Sequence, residues 1–223
     1  MQHEALSTLI SEQRLSTYYK MFHGNKNKAF EYYQLNIQIA QSLYPILLYT
    51  EVSLRNLIHQ SCSIHFKNDH WFELCAEQRD RILRIASTIR KKNNRTVPIL
   101  SDAIIAELTF GFWCSLFNKN NARYFWKPLQ YAFPYLDRSM KREKLSLKLN
   151  HIRRLRNRIF HYEPICNDLE ILWQNYLNML DVLKAMHPEL IEWIKALINF
   201  ENLYEKAKAM RSEAFITDVS YQK

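Results

Sequence analysis

One short segment of the sequence combines residue types that can break a phosphodiester bond. It carries an arginine, an asparagine and a histidine in the string Arg156-Asn157-x-x-x-His161. A histidine can accept the proton of an RNA 2′-hydroxyl or protonate the leaving oxygen. A guanidinium can hold the phosphate and offset the charge that develops in the transition state. Because RNA carries its own nucleophile, the residue types indicate RNA cleavage that requires no metal ion and no other cofactor.

The string lies near the end of a helix that the sequence predicts over residues 138–162. Residues four apart share a helix face, so we expect Asn157 and His161 to be neighbours. Arg156 and His161 are five apart and point roughly 140° from each other, so we expect Arg156 to reach the same pocket from its edge. Pro164 stops the helix, and the negative end of the helix dipole favours an imidazolium there. By itself the string also fits a capping network in which His161 binds a helix-end carbonyl.

The helix that carries this string is strongly basic. Between residues 138 and 158 lie nine arginines and lysines and a single glutamate. Like charges at this spacing repel each other in an isolated helix, whereas they suit a surface that meets a polyanion. The pattern predicts RNA binding, and the residues that we expect to contact RNA are Lys148, Arg153, Arg154 and Arg158. A basic face that is merely solvated is the alternative.

The composition of the whole chain points to helices and to a polyanionic partner. Its 223 residues carry a net charge of +9 and include only two glycines, Gly24 and Gly111. Tight hairpins and phosphate-cradling loops need glycine, so the composition predicts a mostly helical chain and excludes P-loop and Rossmann folds. A basic excess of this size favours nucleic acid as the partner.

Other features argue against a metal, a membrane and secretion. The four cysteines form no C-x-x-C pair, and no histidine pattern completes a zinc site. The longest apolar stretch, residues 37–54, is interrupted by polar residues and is too short to span a bilayer. The amino-terminal residues lack the pattern of a signal peptide. We therefore expect a cytoplasmic protein with no metal and no membrane contact.

Apolar residues spaced three and four apart predict helices along most of the chain. We expect Ser11 to cap a short helix and Pro45 to kink or divide a long one over residues 28–66. The other expected helices cover residues 75–90, 101–117 (capped by Ser101 or Asp102), 138–162, 167–187 and 189–213, with an aromatic-rich element at 124–135 and a polar linker at 91–98. Residues 1–187 are expected to form one domain, and residues 188–223 a helical extension within the same compact unit or an appended arm.

Four blocks of the chain, taken in order, resemble the Abi-like (AbiD/AbiF-type) proteins of bacterial phage defence, a branch of the HEPN superfamily. The superfamily signature is an arginine, four to six residues and then a histidine, which Arg156, Asn157 and His161 match. Together the blocks cover about residues 10–185, whereas the part after His187 matches nothing in the family. The blocks are RLSTYY (Arg14–Tyr19) with the following Tyr33 and Asn36, EVSLRN (Glu51–Asn56), AELTFGFW (Ala106–Trp113) and RLRNRIFHYEPI (Arg154–Ile165).

The resemblance implies an all-α, HEPN-like helical bundle with additional amino- and carboxyl-terminal helices. It also implies a homodimer in which the Arg/His motif helices of both subunits face each other and build one composite cleft. The activity that it implies is metal-independent RNA cleavage by Arg156, Asn157 and His161, often as a toxin in abortive infection. An antitoxin or a phage trigger is a further candidate partner.

Five more residues are expected to support this site. Glu51 and Arg55 are four apart and can pair along one helix face, and the resemblance implies that this face, with Asn56, packs beside the motif helix. A purely structural ion pair is the alternative. Tyr162 and Glu163 either assist catalysis or only shape the helix end. The alternatives to a nuclease are a non-catalytic RNA-binding protein and a phage-sensing interaction protein on the same scaffold.

Overall fold

A computed structural model describes residues 2–92 and 100–221, with side chains over 4–91 and 100–214. Throughout these ranges the regular structure is helical and contains no strand, which confirms the all-α prediction. The helices are α1 (Gln2–Ile10), α2 (Glu12–Met21), α3 (Lys26–Ser42), α4 (Tyr44–Phe66), α5 (Arg79–Lys92), α6 (Ser101–Glu107), α7 (Phe110–Ser115), α8 (Lys119–Tyr131), α9 (Arg142–Phe160), α10 (Leu169–Met186), α11 (Glu189–Lys195) and α12 (Phe200–Tyr221), with 3-10 turns at Trp71–Leu74 and Ala76–Gln78.

Several helix boundaries follow the expected signals. The Ser11 side chain accepts the N–H of Arg14 and caps α2, and Gly24 has a φ of +81° in the turn after that helix. The long helix expected over residues 28–66 is divided at Leu43, with Pro45 in the first turn of α4, where a missing N–H costs nothing. Most of the linker expected at 91–98 lies outside the described residues. None of the described helices is long and apolar enough to cross a bilayer.

Two expected helices are each split in two, and one expected cap is wrong. Residues 101–117 form α6 and α7, because Leu108 and Thr109 are extended and the Trp113 indole donates to the Leu108 carbonyl at 3.3 Å. Leu100 occupies the N-cap of α6 and makes no side-chain hydrogen bond, so Ser101 and Asp102 do not cap that helix. Residues 189–213 are likewise divided between α11 and α12.

The chain forms two compact units. Unit 1 contains residues 1–45, 155–174 and 196–223, and unit 2 contains residues 46–154 and 175–195. Helices α4, α9 and α10 contribute residues to both units. The separation of residues 1–187 from 188–223 and the HEPN-like arrangement of the helices stay predictions.

Unit 1 is built around α3, which packs against both α2 and α12. Tyr32 on α3 is fully buried, and its hydroxyl donates to the Cys166 carbonyl at 3.1 Å. Burial raises the pKa of the Tyr32 hydroxyl, which therefore remains a neutral donor. On α12, Ala207 is fully buried and Lys206 lies 3.7 Å from Glu31 of α3.

Unit 2 has a core of large aromatic side chains. Trp71, Phe112 and Trp113 are almost completely buried, with ring centroids 5.0 to 6.3 Å apart. The Trp71 indole N–H donates to His59 Nδ1 at 3.1 Å, so its one polar group is satisfied inside the core. The aromatic residues of α7 therefore serve packing in unit 2.

A buried asparagine of unit 1 holds the chain that follows α9. The Asn36 side-chain oxygen, on α3, accepts the backbone N–H groups of Ile165 at 2.8 Å and Cys166 at 3.1 Å. All three residues are buried. Because buried N–H groups are costly to leave unpaired, Asn36 fixes the position of the segment that follows His161.

Replacing Asn36 with alanine should destabilise the protein by about 2–4 kcal/mol, because two buried N–H groups lose their acceptor. Urea denaturation followed by circular dichroism measures the change. Asn202→Ala is the matched control, since Asn202 is exposed and bonds only within its own helix end; it should change stability by no more than about 0.5 kcal/mol. Equal effects of the two variants would contradict this role of Asn36.

Candidate functional site

The Arg-Asn-x-x-x-His string lies at the carboxyl-terminal end of α9. Arg156 and Asn157 belong to the last turns of the helix and are half-buried, whereas His161 is exposed and directly follows the helix. The backbone N–H of His161 still donates to the Asn157 carbonyl at 2.9 Å. The imidazole therefore projects from the tip of α9, held by the last regular hydrogen bond of the helix.

The chain leaves α9 through a Schellman turn that has a tyrosine where glycine is usual. The N–H of Glu163 donates to the Arg158 carbonyl at 2.9 Å, and the N–H of Tyr162 donates to the Ile159 carbonyl at 3.0 Å. Tyr162 has a φ of +58°. This left-handed conformation costs a residue with a Cβ roughly 1–2 kcal/mol, so contacts elsewhere must stabilise the turn.

Two arginines supply those contacts. Arg14, on α2, donates from Nη1 to the Tyr162 carbonyl at 2.7 Å. Arg158 lies 3.4 Å from the Glu163 carboxylate and donates to the Pro164 carbonyl. The turn is thus held from α2 on one side and from the last turn of α9 on the other, which fixes the backbone on both sides of His161.

A shallow pocket of about 280 Å³ opens beside His161. Residues of α2 and its cap form one wall, and the turn after α9 forms the other; the lining residues are Ser11, Gln13, Arg14, Thr17 and His161 through Pro164. The residues that line this exposed pocket therefore carry an imidazole, a guanidinium, a carboxylate and three hydroxyls. Such a set can transfer a proton and hold an anion.

The pocket also has a strained backbone on both walls. Ser11 has a φ of +79° and Tyr162 a φ of +58°, and both residues line it. Strained non-glycine residues tend to cluster at functional sites, because only a rigid surrounding structure can maintain them. Their presence on both sides of His161 marks this pocket as the candidate site of unit 1.

Arg156 does not line this pocket. Its guanidinium carbon lies 4.4 Å from the centre of the Phe160 ring, one helical turn further along α9. Asn157 is also outside the lining. The structure therefore brings His161, Tyr162 and Glu163 together with Arg14. The composite cleft of a dimer, to which both Arg/His motifs would contribute, stays a prediction.

Arg14 is the functional candidate that sequence reasoning missed. It is separated from Tyr162 by 148 residues, and no spacing rule links positions so far apart. Its position in the block RLSTYY, which resembles the amino-terminal block of the Abi-like proteins, was the available signal. Arg14 and Thr17 of that block line the pocket beside His161.

No model of a known protein family matches the chain, and no curated protein or solved structure gives a significant match. The resemblance to Abi-like HEPN proteins therefore stays a prediction that depends on four blocks of residues.

The residues expected to bind RNA differ in how much of their charge is available. Lys148 Nζ lies 2.8 Å from both Asn178 Oδ1 and Asp181 Oδ2, and its side chain is 20% exposed. Arg153 Nε donates to Asn150 Oδ1 at 3.4 Å. Arg154 is exposed to solvent. Within unit 2, Arg154 is therefore the member of the expected set that is best placed to meet a phosphate.

The residues expected to support the site from α4 belong to unit 2. Glu51 and Arg55 are half-buried and Asn56 is exposed. Arg55 Nε donates to Asn56 Oδ1 at 3.3 Å. The pairing of Glu51 with Arg55, and the packing of this helix face beside the motif helix, stay predictions.

The cysteines are chemically inert in this fold. All four are buried, and burial raises the pKa of the Cys75, Cys114 and Cys166 thiols to about 12. They therefore remain protonated at neutral pH and are poor nucleophiles and poor metal ligands. Among the side chains described over residues 4–91 and 100–214, no three histidine, cysteine or acidic groups are placed so that they could hold a metal ion.

Replacing Tyr162 with glycine should raise the stability of the protein by about 1 kcal/mol, because glycine adopts a positive φ without a steric penalty. The exposed ring, 77% accessible to solvent, contributes little burial that could be lost. Urea denaturation measures the change. Lys67→Gly is the matched control, because Lys67 has a φ of +51° outside the pocket and should show a similar gain. A marked loss of stability in Tyr162→Gly alone would contradict the strain argument.

Proposed function

We propose that the chain is a metal-independent endoribonuclease of the HEPN type, which acts as a toxin in phage defence. One observation carries the proposal. The exposed imidazole of His161 is fixed at the tip of a basic helix and shares a pocket with the guanidinium of Arg14. An acid–base group beside a cation is the minimum that cleavage of RNA by its own 2′-hydroxyl requires.

In the proposed reaction the 2′-oxygen of RNA attacks the adjacent phosphorus, and the bond from phosphorus to the 5′-oxygen breaks. His161 makes one of the two proton transfers, from the 2′-hydroxyl or to the departing 5′-oxygen, and water makes the other. The products are a 2′,3′-cyclic phosphate and a 5′-hydroxyl. No external nucleophile enters this step, so the protein has only to hold the phosphate and move protons.

Arg14 and Arg156 are the proposed phosphate-binding groups. A guanidinium carries five N–H donors, and Arg14 directs one of its terminal nitrogens to the Tyr162 carbonyl at 2.7 Å. Arg14 also lines the pocket beside His161, so its other N–H donors are proposed to bind the phosphate there. Arg156 is proposed to stabilise the phosphate from the edge of the site, or from the second motif helix of a homodimer.

The charge of α9 supports RNA as the substrate. Its sequence, REKLSLKLNHIRRLRNRIF, contains seven arginines and lysines and one glutamate. Neutralising phosphates with such residues releases counterions and favours binding without any dependence on sequence. The proposed substrate is therefore RNA, taken as a single strand.

A non-catalytic RNA-binding protein is the second candidate. It is favoured by the position of the Arg156 guanidinium, which lies over Phe160 and does not line the His161 pocket. On this hypothesis the basic residues bind RNA and no bond is broken. Salt-dependent binding of RNA by the wild-type protein, without cleavage of any RNA tested, would favour it.

The decisive experiment is cleavage of single-stranded RNA in excess EDTA. Wild-type protein should cleave, and His161→Ala should lose about 10²- to 10⁴-fold in rate, because the proton-transfer group is gone. His151→Ala is the matched control, since His151 lies on the same helix and does not line the pocket. It should retain the wild-type rate.

The products of the same assay identify the chemistry. The cleaved RNA should end in a cyclic 2′,3′-phosphate, and a single deoxyribose at the cleavage position should block the reaction. Cleavage at equal rates by the wild type and His161→Ala would contradict the proposal.

Arg14 should contribute to the rate through phosphate binding. We expect Arg14→Ala to lower kcat/KM about 10- to 100-fold, and Arg14→Lys to retain part of the activity because the charge remains while the planar fork is lost. Lys20→Ala, another exposed cation of α2, is the control. Thermal denaturation of each variant separates a loss of phosphate binding from unfolding of the turn at Tyr162. A wild-type rate in a folded Arg14→Ala protein would remove Arg14 from the site.

A further inference from the structure

Unit 2 contains a larger pocket that the proposed catalytic residues do not use. Its volume of about 730 Å³ falls within the roughly 300–1,000 Å³ that is typical of ligand sites. The walls are formed by α8, the segment that joins α8 to α9, and the first residues of α9. The pocket is open to solvent, so an extended chain can enter and leave it.

The lining of this pocket is basic. Five basic residues and two acidic residues contribute to it, which leaves a net charge of +3. Both acidic residues have local partners: Asp137 accepts the Ser139 N–H at 2.7 Å, and Glu143 lies 2.5 Å from Arg142. These bonds lower the pKa of both carboxyls, which stay ionised. An anionic ligand would therefore meet mainly the cations.

Four of these cations, Lys119, Arg123, Arg138 and Lys141, are exposed to solvent, and Arg123 lies over the ring of its neighbour Tyr124. Lys119 begins α8, Arg138 lies in the segment before α9, and Lys141 directly precedes α9. Lys119, Arg138 and Lys141 therefore come from two parts of the pocket wall, the start of α8 and the segment before α9. Such a distribution suits a ligand with more than one anionic group.

The floor of the pocket offers an aromatic surface. Trp126 is half-buried on α8 and lines the pocket, as do the buried Phe133 and the half-buried Met140. An indole that is partly open to solvent and lines a pocket together with five basic residues can stack on a nucleobase. In an A-form duplex the bases are stacked within the helix, so the pocket suits a single strand.

We propose that this pocket binds single-stranded RNA, with a base stacked on Trp126 and the flanking phosphates held by Lys119, Arg138 and Lys141. The proposal rests on the proposed function in that RNA is the partner. It assigns the binding of the RNA strand to residues outside the Arg/His motif.

The test is RNA binding measured by the fluorescence anisotropy of a fluorescein-labelled, single-stranded RNA of twelve nucleotides in EDTA. All proteins carry His161→Ala, so that the probe stays intact. Trp126→Ala should weaken binding about tenfold, the loss typical of one stacked base. Trp126→Phe should stay within about threefold of the parent, because a ring is retained.

Trp193→Ala is the matched control for the loss of an indole. Trp193 also belongs to unit 2, is 70% exposed and donates its indole N–H to the Tyr49 hydroxyl at 2.9 Å. It should bind RNA as the parent does. Thermal denaturation followed by circular dichroism shows whether each variant is folded. If Trp126→Ala is unfolded, RNA binding by Trp126→Leu and by the lysine variants described next tests whether the pocket binds RNA.

The charge of the pocket is tested by salt dependence. The double variant Lys119→Gln, Lys141→Gln should reduce the slope of log Kd against log salt by about 0.7 for each lysine, the value for a phosphate contact with a single strand. Lys195→Gln combined with Lys206→Gln is the control, because both lysines are exposed and lie outside the pocket. It should leave the slope unchanged.

The two proposals fail in different ways. Unchanged binding and an unchanged salt slope in the Trp126 and lysine variants would overturn the pocket proposal even if the wild type cleaves RNA. An equal loss in Trp193→Ala, or no RNA binding by the parent protein, would overturn it too. If RNA binds through the pocket but the wild type leaves RNA intact in EDTA, the pocket proposal holds and the nuclease proposal fails.

Discussion

The candidate site depends on a turn that α9 could not maintain alone. Tyr162 adopts a left-handed conformation that disfavours any residue with a Cβ, and the helix before it carries an excess of like charges. The turn persists because Arg14 binds the Tyr162 carbonyl and Asn36 accepts the next two buried N–H groups. Both contacts come from unit 1 helices that precede α9 by more than a hundred residues. The position of His161 therefore depends on tertiary contacts within unit 1 as well as on the sequence around it.

Because the turn needs these contacts, an arginine can both stabilise its backbone and be available to bind a phosphate. Arg14 and Arg158 both donate to carbonyls that a helix end leaves without partners. Arg158 also lies 3.4 Å from Glu163 and has little freedom to move. Arg14 lines the pocket with only one terminal nitrogen committed to Tyr162. Preorganised donors of this kind cost no reorganisation when charge develops, so a group that stabilises the turn can also act on a bound phosphate.

The sequence predicted the elements that depend on local signals. Glycine scarcity indicated an all-α chain, Ser11 indicated the start of α2, and Pro45 indicated the division before α4; all three are confirmed. The break between α6 and α7 was missed because apolar residues continue through Leu108, and a hydrogen bond from Trp113 keeps the chain extended there. The contact of Arg14 with the turn was also missed, because tertiary packing decides a pairing across 148 residues.

Counting charges along α9 overstates how much of that charge RNA could reach. Lys148 is 20% exposed and has two partners at 2.8 Å, and removing it from Asp181 would leave a carboxylate without its cation. If Arg158 bound a phosphate, it would lose its contacts with the Glu163 carboxylate and the Pro164 carbonyl. The turn that positions His161 would then lose part of its support. An exposed cation such as Arg154 can bind a phosphate without this loss of intramolecular contacts. Affinity for a polyanion should therefore follow the accessible charge of each unit more closely than the net charge of +9.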